Sequence, residues 1–112
     1  MDYNFYVYIT TNPSKNVLYT GITNDLGQRL IEHYLDRGNS ESFAGRYYAY
    51  LLIYWERHQY VDLAIKREKE IKGWSRAKKL ALIHKENPNL NSLNASIVSP
   101  WPPPDGSKRG DY

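Results

Sequence analysis

Arg29 and His33 stand four residues apart in NDLGQRLIEH, so a helix through them carries both side chains on one stripe. Arginine suits phosphate through its planar, permanently charged fork, and histidine exchanges protons near neutral pH. Tyr6 and Tyr8 share one face of an extended FYVYITT segment, and Tyr19 on a following strand can lie near them. Glu68 completes the set. On a helix begun at Val61 it falls at about −20°, inside an apolar stripe of Ala64, Ile65 and Ile71 centred near about −25°, while Glu70 falls at about 180°. A carboxylate in that stripe needs a cation, a proton or hydrogen bonds. Either a buried ion pair with a neighbouring Lys or Arg, or a metal ion, supplies this. Tyrosine, arginine, histidine and one such glutamate can together hydrolyse a phosphodiester with one divalent ion. The ion neutralises phosphate charge and the arginine steadies the transition state. Each group also has an ordinary reading, since i,i+4 Arg/His pairs decorate many helices and most of the eleven tyrosines must serve packing.

Other chemistries are excluded or unsupported. There is no cysteine, hence no disulfide, thiolate-ligated zinc or thiol nucleophile, which fits a reducing compartment. His33, His58 and His84 lack zinc-ligand spacing, and no phosphate-binding loop, dinucleotide fingerprint or nucleophile elbow occurs. No apolar run approaches the ~20 residues of a membrane span, and MDYNFYVYITT lacks the charge and leucine pattern of a secretory leader. A cytoplasmic location is the expectation. The formal charge of +3 is unevenly spread. Between Ile65 and Lys85, eight Lys or Arg face Glu68 and Glu70, which is +6 there and −3 elsewhere. Lys66, Arg67, Lys72, Arg76, Lys78 and Lys79 are the candidate phosphate contacts, and a solvated helical face is the alternative.

The elements that must position these groups follow from periodicity. Residues 5–11 and 17–22 read as strands joined by the turn NPSKN, an antiparallel hairpin. A helix from Asp25 to Arg37, capped by Thr23 or Asn24 and ended by Gly38, follows. NSESFAGRY reads as a polar loop, and YAYLLIYWE as a strand apolar enough to be central. Helices from Val61 to Lys72 and from Ser75 to Lys85 complete a β-β-α-β-α-α order. The fold class is therefore α+β, a three-stranded, mainly antiparallel sheet with helices packed on it. One domain, residues 1–93, is expected, followed by a flexible Pro/Gly/Ser-rich tail, residues 94–112, on which only Trp101 could dock.

At these residues the sequence resembles the GIY-YIG nuclease superfamily. YVYI (6–9) and LYTGIT (18–23) look like its two motif strands, and AIKREKEIKGWSRAKKLALI (64–83) and NPNLNSL like the second half of its small single-domain members. The resemblance spans roughly Tyr3 to Leu93 and implies the fold of the nuclease domain of the bacterial excision-repair incision subunit. It implies a divalent-metal-dependent endonuclease hydrolysing DNA, with structure-specific cutting in repair or recombination as one form, or a nucleic-acid-binding module that has lost catalysis. Carried over, Tyr8 and Tyr19 match the motif tyrosines, Arg29 the phosphate-contacting arginine and His33 the helix His/Tyr position. Glu68 matches the single ligand of a Mg²⁺ or Mn²⁺ ion, and Asn91 the C-terminal asparagine. The implied mechanism has Tyr8 take the proton of the attacking water. Gly21 closes the second motif. Tyr6 and Thr20 depart from the family pattern, which has Gly and Ile there.

Overall fold

The computed structural model describes residues 3–104, in which three strands form one antiparallel sheet of order β2-β1-β3. The elements are β1 (Phe5–Thr11), β2 (Leu18–Thr23), α1 (Leu26–Leu35), α2 (Phe43–Arg46), β3 (Leu51–His58), α3 (Val61–Lys72), α4 (Arg76–His84) and α5 (Asn94–Ile97). The expected hairpin is present. Asn12 shapes its turn, its side-chain oxygen accepting from the backbone N–H groups of Asn16 and Val17, with Lys15 at φ 58. The cap of α1 is Asp25, one residue beyond the expected Asn24 and two beyond Thr23. Asp25 accepts from Gln28 N at 3.0 Å while Thr23 Oγ1 accepts from Asp25 N at 3.1 Å. Ser75 caps α4 as expected, and Gly38 adopts φ 90 beyond α1.

Alternation along the strands separates two layers. Val7 and Ile9 pack with Ala64, Ile71 and Ile83 under α3 and α4, whereas Tyr8 and Leu52 pack with Leu26 and Leu30 under α1. A bulge where Ile9 pairs with Tyr54 but Thr10 with Leu52 puts both Ile53 and Tyr54 in the α3–α4 core. Tyr6, on the α1 face, packs edge-on against Trp55 with centroids 5.8 Å apart.

Three expectations are corrected. The central strand is β1, and β3 is an edge whose apolar run is buried because later chain covers it. Asn94 accepts from Leu52 N at 2.7 Å and donates to Tyr50 O at 2.9 Å, Leu93 N donates to Leu52 O, and Asn87 donates to Ile53 O. Side chains thus satisfy the open edge that a fourth strand would otherwise take. The boundary at Leu93 consequently fails. Asn94 is fully buried, α5 begins at it, and Ile97 and Trp101 pack against the α1-side core, Trp101 edge-on to Tyr34 at 5.3 Å. Residues 105–112 of the expected tail lie outside the described residues. The stretch 39–47, expected as plain loop, contains α2, capped by Ser42 through Gly45 N at 3.0 Å.

Candidate active site

The first helix and the two motif strands meet on the α1 face. Tyr8 pairs with Gly21 across the hairpin and Thr10 with Tyr19, so Tyr8 and Tyr19 point to the same side as α1. There Tyr8 Oη lies 2.8 Å from His33 Nε2 and accepts from Arg29 Nε at 3.3 Å. The Tyr8–Tyr19 and Tyr19–His33 ring centroids are 6.3 and 5.4 Å apart. Four of the expected residues are therefore brought together. Tyr19, Arg29 and His33 line a cavity of ≈ 510 Å³ with Glu32, Asp36, Ser42, Phe43 and Ala44. Tyr8 is fully buried behind it, and the space over its ring exists because residue 21 lacks a side chain.

Burial sets the protonation states. It pushes the Tyr8 hydroxyl up to about 12, with Arg29 pulling the other way, so at neutral pH Tyr8 keeps its proton. Burial together with the Arg29 charge lowers His33 to about 4, leaving a neutral imidazole. The Tyr8 hydroxyl thus joins both side chains, accepting from Arg29 Nε and sharing a second hydrogen bond with His33 Nε2. Arg29, held still more firmly protonated by its bond to Tyr8, spends one further N–H on Glu32 at 3.1 Å and turns the rest of its fork to the cavity.

Glu68 shares no hydrogen bond or ion pair with these four among the described residues. It is buried on α3, in the other layer, with one oxygen 2.6 Å from Lys72 Nζ. Of the two readings of that carboxylate, the ion pair is what the structure contains. Among the described residues no three His, Cys, Asp or Glu side chains cluster as a metal cage, so any ion would rest on Glu68 and ligands from elsewhere. That fits Mg²⁺, which keeps several waters and needs only one or two carboxylates plus substrate phosphate. The Lys72 ammonium already stands as a cation on this oxygen, with its side chain 53% exposed.

Asn91 does not line this cavity. It is exposed, its side chain forms no hydrogen bond among the described residues, and its backbone groups are bonded by Asn87. The asparagines that hold structure together are Asn87 and Asn94, which the sequence offered only as neighbours in an asparagine-rich stretch. The basic segment is also less available than expected. Arg67 bonds Glu56 at 2.9 Å and Glu70 at 2.7 Å, Lys72 is taken by Glu68, and Lys78 lies 4.4 Å from the Trp74 ring. Lys66, Arg76 and Lys79 form no ion pair among the described residues. Glu56 gathers Tyr54, His58 and Arg67, tying β3 to α3. Burial pushes this carboxyl up, and its three hydrogen bonds more than offset that, leaving it below the ordinary range.

Two motif tyrosines on paired strands, with arginine and histidine on the next helix, are matched by the description "GIY-YIG catalytic domain" over residues 4–81. The chain belongs to the GIY-YIG catalytic domain family. UPF0213 proteins of Staphylococcus aureus are 39% identical over 83 residues, covering 74% of this chain and 96% of theirs. One from Staphylococcus saprophyticus is 37% identical over 78 residues, covering 70% and 92%. The solution NMR structure of a UPF0213 protein from Bacillus halodurans superposes with a TM-score of 0.51 at 26% identity, covering 86% of this chain and 97% of that one. The GIY-YIG chain described here shares its α+β fold. Membership supports a nuclease-type function on nucleic acid. No helix among the described residues is long and apolar enough to cross a membrane.

Proposed function

We propose that this GIY-YIG protein is a divalent-metal-dependent endonuclease that hydrolyses DNA phosphodiester bonds in the cytoplasm. The observation that carries the reading is the Tyr8–His33–Arg29 hydrogen-bonded unit at the wall of a cavity into which Tyr19 and Arg29 reach. Arg29 binds the scissile phosphate through the N–H groups left over from Tyr8 and Glu32. Tyr8 is sealed from the cavity and keeps its proton, so it is a positioning residue that fixes the Arg29 fork and the His33 ring. The group facing the attacking water is then Tyr19, whose hydroxyl lacks a hydrogen bond among the described residues, with neutral His33 beside it. Glu68 would hold one Mg²⁺ or Mn²⁺ after Lys72 leaves. When bound, that ion supplies positive charge to the phosphate in the transition state.

A second reading, a DNA-binding module without catalysis, is favoured by one contact. Lys72 on Glu68 already gives this carboxylate a cation. The test compares Glu68→Gln and Glu70→Gln with the parent on duplex, single-strand, flap and junction DNA, with Mg²⁺ and Mn²⁺. Divalent-dependent cutting by the parent and by Glu70→Gln, lost in a folded Glu68→Gln, is the expected result. DNA binding with no cutting by the parent under any ion favours the second reading.

A further inference from the structure

A short aromatic ladder leads out of the cavity, and the sheet and its helices do not need it. Ala44 and Gly45 are buried on the inner side of α2, so this single turn is pinned against the end of α1 and its outer residues are forced into water. Phe43 is 52% exposed and Tyr47 43% exposed. Neither belongs to the two core clusters or to the partly buried residues packed on them. Their rings nevertheless continue an ordered series. The Phe43 ring lies nearly parallel to Tyr19, with centroids 6.0 Å apart and 24° between planes, and Tyr47 meets Phe43 at 4.8 Å. Phe43 and Arg29 line the same cavity. Two carboxylates also line that cavity, Glu32 paired with Arg29 and Asp36 accepting from Ser42 and Asn39.

A flat ligand with an apolar face and a phosphate attached fits this arrangement. A nucleobase is such a ligand, but only when unpaired, because stacking within a duplex covers both faces of each base. From this we infer that the site takes an unpaired nucleotide of a DNA strand, its base stacked on Phe43 with Tyr47 behind and its phosphate on Arg29. The substrate class is therefore single-stranded DNA or the single-stranded part of a flap. This deepens the proposed nuclease reading and rests on it. The basic α3–α4 layer lies across the sheet from the cavity and adds attraction for phosphate without distinguishing paired from unpaired strands.

The experiment measures binding of the full chain to fluorescently labelled single-stranded and blunt duplex DNA by anisotropy, without divalent ions so that nothing is cut. Phe43→Ala should weaken single-strand binding roughly 5- to 150-fold, as removal of a base-stacking ring does, and leave duplex binding within about twofold. Phe43→Trp should restore it. Phe43→Leu, which keeps apolar bulk without a π face, should behave as Phe43→Ala and guards against a folding defect in the smaller variant. Equal losses on both DNAs, or no loss on either, overturn the stacking inference and leave the nuclease reading standing. A parent that binds neither DNA overturns both. A parent that binds single strands through Phe43 but never cuts overturns catalysis alone.

Discussion

Gly21→Ala tests the site geometry through a change of sign. The backbone at Gly21 is not in the left-handed region, so conformation alone does not require glycine there. In a strand interior alanine is better than glycine by about 0.5–1 kcal/mol, and on that count the substitution should stabilise. The packing says the opposite. A β carbon at residue 21 would stand 2.4 Å from Tyr8 Oη, 2.5 Å from Cζ and 2.9 Å from Cε1, where ordinary contact begins at 3.4 Å. The Tyr8 ring is fully buried, and its hydroxyl is held by His33 and Arg29, so it cannot step aside without loosening both bonds. Overpacking costs about 1–3 kcal/mol, and a buried hydroxyl losing its partners about 1–3 more, for roughly 2–6 in all.

Circular dichroism melts of the metal-free protein check this. A loss of that size lowers Tm by about 10–20 °C in a domain of this length. Shrinking the opposing ring should relieve the clash. Tyr8→Ala in the Gly21→Ala background is expected to cost less than the two single changes added, by about 1–3 kcal/mol of coupling. A Gly21→Ala protein as stable as the parent, or more so, would refute the placement of Tyr8 against β2.

Stability should fall on acidification through His33. Its pKa drops from 6.5 unfolded to about 4 folded, so between those values the unfolded chain binds more protons. That contribution is full above pH 6.5 and is lost as pH falls toward 4, by roughly 3 kcal/mol at most. Urea unfolding of the parent and His33→Gln between pH 7 and pH 5 should show a slope that the variant lacks. Asn94→Ala leaves Leu52 N and Tyr50 O without partners and should cost about 3 kcal/mol, read by the same unfolding curves; a chain ending at Leu93 should lose at least as much. Thr20 Oγ1 is buried without a partner among the described residues, so Thr20→Val, nearly the same shape, should raise stability by about 1 kcal/mol in thermal melts. Lys78 and Lys79 together changed to Glu should weaken DNA binding of any sequence and flatten its salt dependence, measured by anisotropy across salt concentrations.

Local rules made much of this legible. Alternation at period two placed Tyr8 and Tyr19 on one side, i,i+4 spacing put Arg29 and His33 on one stripe, and the angle of Glu68 made it buried. What escaped depends on pairings distant in sequence. The apolar run of β3 reads as a central strand because burial, not position, is what hydrophobicity records. Here Asn87 and Asn94 do the covering from 34 and 42 residues away. Their polarity made the same segment look like a tail. Asn91 shares that stretch, where which asparagine turns inward depends on the local turn and on the open edge of β3. Arg67 and Lys72 counted as free charge because their carboxylate partners become neighbours only in the folded chain or along its helix.

The same edge logic bears on how one site could use residues from two layers. β3 has its outer edge satisfied by side chains, whereas β2, at the other end of the sheet, makes no backbone hydrogen bond outside the sheet among the described residues. Successive β2 residues look to opposite sides, Tyr19 and Gly21 toward α1, Thr20 and Ile22 toward α3. α3, which carries Glu68, packs against both β2 and β1. On the proposed reading, a phosphate shared by Arg29 and an ion on Glu68 would approach past β2, an edge strand with residues in both layers and an uncapped side. The six residues Leu18–Thr23 of β2 serve both layers. There a tyrosine faces the cavity and a glycine makes room for Tyr8.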